Sequence, residues 1–420
     1  MISRFSNALS ARGLNGLPEL FLSQVVPITA SLLVTFATAK ILGPGGRGQL
    51  AFIMGAANLA GAIAFGSLQV GVTYAHKTGD QSALKRALRL GASASVVTIL
   101  CGIGISALSF RINGEPQRAI DLMVGTIGAA LVSLNLVVLR VRQGLGDARE
   151  FLIAGSIQSG IYATLGIPVA FVSRSPIAVV GCWYVGLIIS TIYGLRGFDR
   201  PSVGPKRHVR SRSILATSWS AHLGFIGIQF LYRADIVILG FFVIREELGV
   251  YSIAAPIAEL TWAIPEALSL LAFSHYSASR SVAERVLHRA LLLKLNLAAG
   301  LLGGLAIAIT AWATLPVLLP SYVAAVPLIF ILLPGVVIQG AARIAFSMLV
   351  STGARKPAFL VGLISIALCV LYVPFCAIWG ITGAAVASTI IYIAQAILVL
   401  TIVRREDRLD GALRTPKRHW

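Results

Sequence analysis

The sequence predicts an all-α polytopic membrane protein of about twelve transmembrane helices. Three observations carry this. Mean hydropathy is +0.85, only 12% of the 420 residues are charged, and continuous apolar runs of about 20 residues recur from end to end. A β-barrel is excluded, because the runs lack the alternation of barrel strands. The net charge of +19 would suggest nucleic acid in a soluble protein. Here the basic residues lie between apolar runs, so a membrane accounts for them and no nucleic-acid partner is expected. Cys101, Cys182, Cys369 and Cys376 form no C-x-x-C pattern and read as small packing residues.

Runs of spanning length fall at 19–42, 49–75, 89–110, 119–140, 151–173, 176–195, 214–244, 248–273, 290–315, 323–351, 358–379 and 381–403. The first imitates a signal peptide at Ala37-Thr38-Ala39, but its apolar stretch is too long and many spans follow, so it reads as a retained helix. Both tails and the loops after even-numbered runs carry 27 of the 35 Lys and Arg residues; loops after odd-numbered runs carry six. The positive-inside rule then sets both termini in the cytoplasm. The basic loop at 196–212 and the tail from Arg404 onward should face the anionic lipids of the inner leaflet. Ser279–Lys294 reads as an amphipathic segment on the same surface, with Val282, Val286 and Ala290 set between Arg280, Arg285 and Arg289.

The chain also reads as duplicated. Ile41, Leu42 and Gly43, followed by Gly48, correspond to Ile238, Leu239 and Gly240, followed by Gly249. Gly146 and Phe151 recur as Gly353 and Phe359, and Pro168 as Pro374, in the same order. Six spans per repeat make the halves parallel, related by an axis along the membrane normal, with a site expected between them. The organisation is an N-lobe at 1–195, a basic linker at 196–212, a C-lobe at 213–403 and a basic tail at 404–420.

No H-E-x-x-H, Walker A, G-x-S-x-G or D-x-D sequence occurs, and the longest extracytoplasmic connection is about ten residues, near Arg111–Arg118. An enzyme is therefore not expected, nor are catalytic residues, metal or cofactor. The glycine-rich Gly43–Gly48 reads as a tight turn. No filter repeat or charge ring suggests a channel. A transporter or flippase remains.

Its candidate site residues are the polar groups inside spans. Arg233 and Asp235 stand two apart in an apolar run, where a charge costs roughly 2.5–3.5 kcal/mol. A structural ion pair between helices and a lining of a substrate path both fit. Glu259 and Glu266 are seven apart and share a helical face with Trp262; Gln339 and Arg343 are four apart and align likewise. Arg233 should lie at the depth of Glu259, and Arg343 at that of Glu266. The N-terminal half offers neutral groups, chiefly Gln24 and Asn58, then Gln69, Asn135 and Gln158. Pro27, one turn after Gln24, fits either a static kink or a hinge. His222 reads as a packing residue. Arginines suit phosphate, since a guanidinium stays charged and grips it bidentately.

The Leu42–Ala51 turn resembles the L-G-P-x-x-x-G-x-x-A pattern of the multidrug/oligosaccharidyl-lipid/polysaccharide exporter superfamily. Asp235, Gly240, Gly249 and Tyr251 resemble its D-x-x-x-x-G…G-x-Y pattern, and the likeness covers nearly the whole chain. Within the superfamily the chain most resembles O-antigen and exopolysaccharide repeat-unit flippases. The resemblance implies a V-shaped fold in a bacterial inner membrane and alternating access. It also implies a polyprenyl-diphosphate-linked glycan as substrate, H+ or Na+ coupling, and glycan polymerase and glycosyltransferase partners. A drug/organic-cation antiporter of the same fold and a non-transporting scaffold of a glycan-assembly complex are the competing readings. Counting two arginines against Asp235, Glu259 and Glu266, formal charge slightly favours a cation.

Overall fold

The computed structural model describes residues 17–65, 68–77, 80, 82–145, 147–196, 211–278, 282–351 and 355–414, some side chains excepted, chiefly those of 17–27, 211–221, 273–278 and 408–414. The described residues form thirteen α-helices and two short 3-10 turns. In chain order these are α1 (Leu17–Phe65), α2 (Leu68–Lys77), α3 (Ala83–Asn113), α4 (Pro116–Leu145), α5 (Ala148–Ser173) and α6 (Pro176–Leu195). There follow α7 (Ser211–Leu239), α8 (Arg245–Glu259), α9 (Ala263–Ala278), α10 (Val282–Leu318), α11 (Ala325–Ser351), α12 (Arg355–Cys369) and α13 (Tyr372–Arg414).

Helix α1 holds two spans. Arg47 donates to the hydroxyls of Thr35 and Thr38, twelve and nine residues earlier. On a straight helix twelve residues rise about 18 Å, beyond any side chain's reach. The chain therefore doubles back at Gly43, whose φ of +68° is a left-handed value that glycine adopts without strain. Gly380, with φ +52°, interrupts α13 in the same way. Among the described residues nine helices are long and apolar enough to cross a membrane. The count reaches about twelve because α1 contains two spans, α7 is long but more polar, and α12 is short and continues into 372–379 ahead of Gly380.

Helices α1–α6 pack on one another, as do α7–α13, and the two groups meet mainly through α1 against α7 and α8, and α2 against α7. At this crossing a Cβ on Gly48 would run into the Arg245 carbonyl oxygen, and one on Gly249 into that of Pro44. The contact is reciprocal. Pro44 and Arg245, like Gly48 and Gly249, stand 201 positions apart (245 minus 44; 249 minus 48), which gives the halves a local two-fold relation.

One expectation is corrected. The segment from Val282 is not a separate surface helix but the start of the continuous α10. Arg285 and Arg289, four apart and so on one face, turn towards Asp407 on α13, which pairs with both. A buried carboxylate draws in the two cations that were expected to face lipid headgroups. Val286, Leu287, Ala290 and Leu291 are among the exposed residues here. The tail remains helical to Arg414. Most of the 196–212 linker lies outside the described residues.

Candidate functional site: an inter-lobe cavity

Between α1, α7, α8 and α9 lies a cavity of about 490 Å³, also reached by Tyr162 of α5 and Arg343 of α11. Its size is that of a small-molecule site. On the far wall, Pro256 and Pro265 each withhold a backbone N–H, and between them α8 gives way to a 3-10 turn at Leu260–Trp262 before α9 begins. Glu259, Trp262 and Glu266 all line the cavity across this break.

The C-terminal arginines are leashed. Arg343 Nη1 lies 2.8 Å from Glu266 Oε2, and its guanidinium stacks 4.0 Å from the Trp262 ring centroid and 4.3 Å from that of Tyr232. The indole is fixed in turn by donating to the Val336 carbonyl at 2.9 Å. Arg233 holds Glu259 more loosely, at 3.7 Å, with 39% of its side chain exposed. Both cross-helix pairs match the depths read from the sequence.

Arg47 differs. It lines the cavity from the other wall, is 7% exposed, and donates only to neutral groups, Thr38 Oγ1 at 3.4 Å and Thr35 Oγ1 at 3.3 Å. Its Nε has no partner, and no carboxylate pairs with it among the described residues. The sequence reading missed it by treating 43–48 only as a turn. A signal existed: residues 47, 51, 54, 55 and 58 follow one helical face, so extending the Asn58 face back about three turns reaches Arg47, and all five line the cavity.

Two candidates lie elsewhere. Two residues advance a helix by about 200°, so Arg233 and Asp235 face opposite ways. Asp235 is 2% exposed inside the C-terminal bundle and lines no part of the cavity. It accepts from Tyr251 and from the Ile236 N–H, both at 2.8 Å, and the chain continues through Ser388 to Tyr372. Gln339 stands one turn from Arg343 but is 1% exposed and lines no part of the cavity; its Nε2 donates to Gln395 at 2.5 Å and to the Tyr232 hydroxyl at 3.4 Å. Asn58 does line the cavity and donates to the Met54 carbonyl at 2.8 Å. Asn135 is buried within the N-terminal bundle against α6. The side chains of Gln24, Pro27 and Gln69 lie outside the described residues.

The cavity wall thus carries Arg47, Arg233 and Arg343 against Glu259 and Glu266, a formal excess of one positive charge among the described residues. This reverses the count made from the sequence, because Asp235 leaves the site and Arg47 enters it.

A two-lobed, all-helical membrane bundle with a charged cavity between its lobes has the fold of a known transporter class. The chain matches the inward-facing conformation of a multidrug resistance MATE family transporter of the MOP superfamily with TM-score 0.72 at 15% identity, over 94% of this chain and 99% of that one. It matches the lipid II flippase MurJ, inward closed conformation, with TM-score 0.73 at 13% identity, over 93% and 90%. Against an outward-facing MATE family transporter the TM-score is 0.62 at 16% identity, over 94% and 95%. No protein-family model matches the chain, and no curated protein matches it in sequence. At these identities the likeness establishes the fold, which MATE transporters and the MurJ flippase share.

Proposed function

We propose that the protein flips a polyprenyl-diphosphate-linked oligosaccharide across a bacterial inner membrane by alternating access. The observation that carries this is Arg47: a buried guanidinium facing the cavity with no carboxylate to neutralise it among the described residues. A buried cation without a counter-ion is costly, and an incoming diphosphate would relieve that cost through charge-assisted hydrogen bonds. Arg233, loosely paired and half-wet, is the natural second contact from the opposite wall. The glycan would occupy the polar cavity while the lipid tail stays in the bilayer. Coupling to H+ or Na+ belongs to the same proposal.

The competing antiporter reading has one observation in its favour, the aromatic faces and carboxylates on the α8–α9 wall. Those faces are already occupied by Arg343, so a ligand cation would have to displace it. A scaffold has no use for a charged cavity between its lobes.

The test is thermal stabilisation of the purified protein. An anionic diphosphate-linked oligosaccharide should raise the melting temperature, and Arg47→Gln should remove the shift. Stabilisation by ethidium-like cations instead would transfer the assignment to the antiporter. Orientation, proposed from the 27-to-6 charge split, is tested separately with single cysteines in a cysteine-free background. Pro205→Cys and Ser281→Cys should be shielded from an impermeant thiol reagent in intact cells, and Asn113→Cys labelled. External labelling at position 205 would invert the topology.

A further inference from the structure

The lobes are tied together at the end of the bundle that carries the Gly43 turn, by apolar packing and by a set of polar ties. Asp121 on α4 is 1% exposed, and each of its carboxylate oxygens is used. Oδ1 accepts from Gln49 of its own lobe at 2.7 Å, while Oδ2 pairs across the gap with Arg245 Nη2 at 2.5 Å. One turn earlier on α4, Arg118 reaches across as well. Its Nη1 donates to the Phe241 carbonyl at 3.1 Å and its Nη2 to that of Val243 at 2.9 Å. These carbonyls stand just beyond the C-terminus of α7, where a helix leaves acceptors unsatisfied. Arg118 is itself held by Glu115 at 2.8 Å. Alongside runs a buried apolar seam across the lobes, in which Phe52 and Leu122 join Leu239, Val243 and Leu248, with Phe52 edge-on to Phe241 at 5.6 Å.

We propose that the Asp121–Arg245 ion pair, with Arg118 on the end of α7, is a reversible latch that holds this end of the cavity shut. It is separate from the cavity arginines, and the inference does not depend on what the cavity carries. The apolar part of the seam resists opening in proportion to its area, and the polar ties behave differently. These groups can exchange their partners for water: Arg245 is already 31% exposed, and the freed carbonyls would be solvated. Gln49 stays with Asp121 when the lobes part, so the buried carboxylate keeps one donor throughout. The latch therefore closes with direction, through a bidentate clamp and an ion pair, and opens without stranding a polar group.

The test is a distance measurement between lobes. Spin labels at Gln117→Cys and Glu247→Cys, both exposed and on opposite sides of the latch, are read by pulsed EPR in a cysteine-free background. With the latch intact one short distance should dominate. Arg245→Gln, at a half-exposed position, and Asp121→Asn should each raise the population of a longer distance by about fivefold or more. The exchange Asp121→Arg with Arg245→Asp should bring the short distance back. A correctly assembled Arg245→Gln protein with the unaltered distance distribution overturns the proposal. So does opening in the single variants with no recovery in the exchange, since the ion pair would then not be the holding contact.

Discussion

At an offset of 201 residues, Asn58 corresponds to Glu259, Gly55 to Pro256 and Ala51 to Ser252, and all six line the cavity. The walls are thus equivalent in position but unlike in charge. The α7–α9 wall carries Arg233 leashed by Glu259, and α11 of the same lobe adds Arg343 leashed by Glu266. The opposite wall carries Arg47 held by hydroxyls alone, while its counterpart Leu248 is buried beside the latch. On the proposed reading an anion would meet an unpaired cation on one wall and paired ones on the other. The difference teaches that equivalent walls of a duplicated bundle can hold their arginines in unlike ways, by hydroxyls on one side and by carboxylates on the other.

The strongest way to break this comparison is Arg47→Ala. It should lower transport about a hundredfold at matched protein levels, while Arg47→Lys, lacking the planar fork, should keep a fraction near a tenth. Transport by reconstituted vesicles, normalised by immunoblot, reads both. Near-normal transport by Arg47→Ala would move the binding role to the leashed pair. Next in size are Gly48→Ala and Gly249→Ala, each facing a backbone carbonyl that cannot swing aside. Each should cost about 1–3 kcal/mol, and the two losses should be alike in thermal unfolding. A large loss at one and none at the other would end the claim of a reciprocal crossing. The smallest effects sharpen the leash. Glu266→Gln should tighten binding of the anionic ligand about tenfold by freeing Arg343, and Glu259→Gln only about two- to threefold, because the 3.7 Å pair is longer and wetter. Calorimetric titration of the two variants decides their order.

The fold was legible because lipid imposes a 20-residue period of apolarity on every span, and that is a one-dimensional signal. Gly43 and Gly48 were legible as a turn for the same local reason. The pairs Arg233–Glu259 and Arg343–Glu266 followed from depth alone, since spans of known order place charges at comparable heights. What depth does not give is rotation about the helix axis. Asp235 was grouped with Arg233 because it is two residues away, and those two residues turn it to the other face. Gln339 stands one turn from Arg343, yet it is buried and spends its amide on Gln395 and the Tyr232 hydroxyl from other helices. Arg47 was hidden by its neighbours: four glycines and a proline dominate 43–48, and the helix that carries the arginine begins inside them. The latch joins residues 121 and 245, a pairing no local pattern encodes.

The reciprocal crossing also bears on how the two halves were free to drift apart. In a pair of identical subunits, one mutation of the shared glycine would have struck two backbones at once. Fusion into a single chain lets positions 48 and 249 mutate separately, but each still opposes a carbonyl oxygen of the main chain, which no change of neighbouring side chain can remove. One residue earlier, at 47 and 248, the constraint disappears, and there the copies became an arginine and a leucine. The two halves thus share a glycine where each backbone opposes a carbonyl, and differ in charge at the adjoining position.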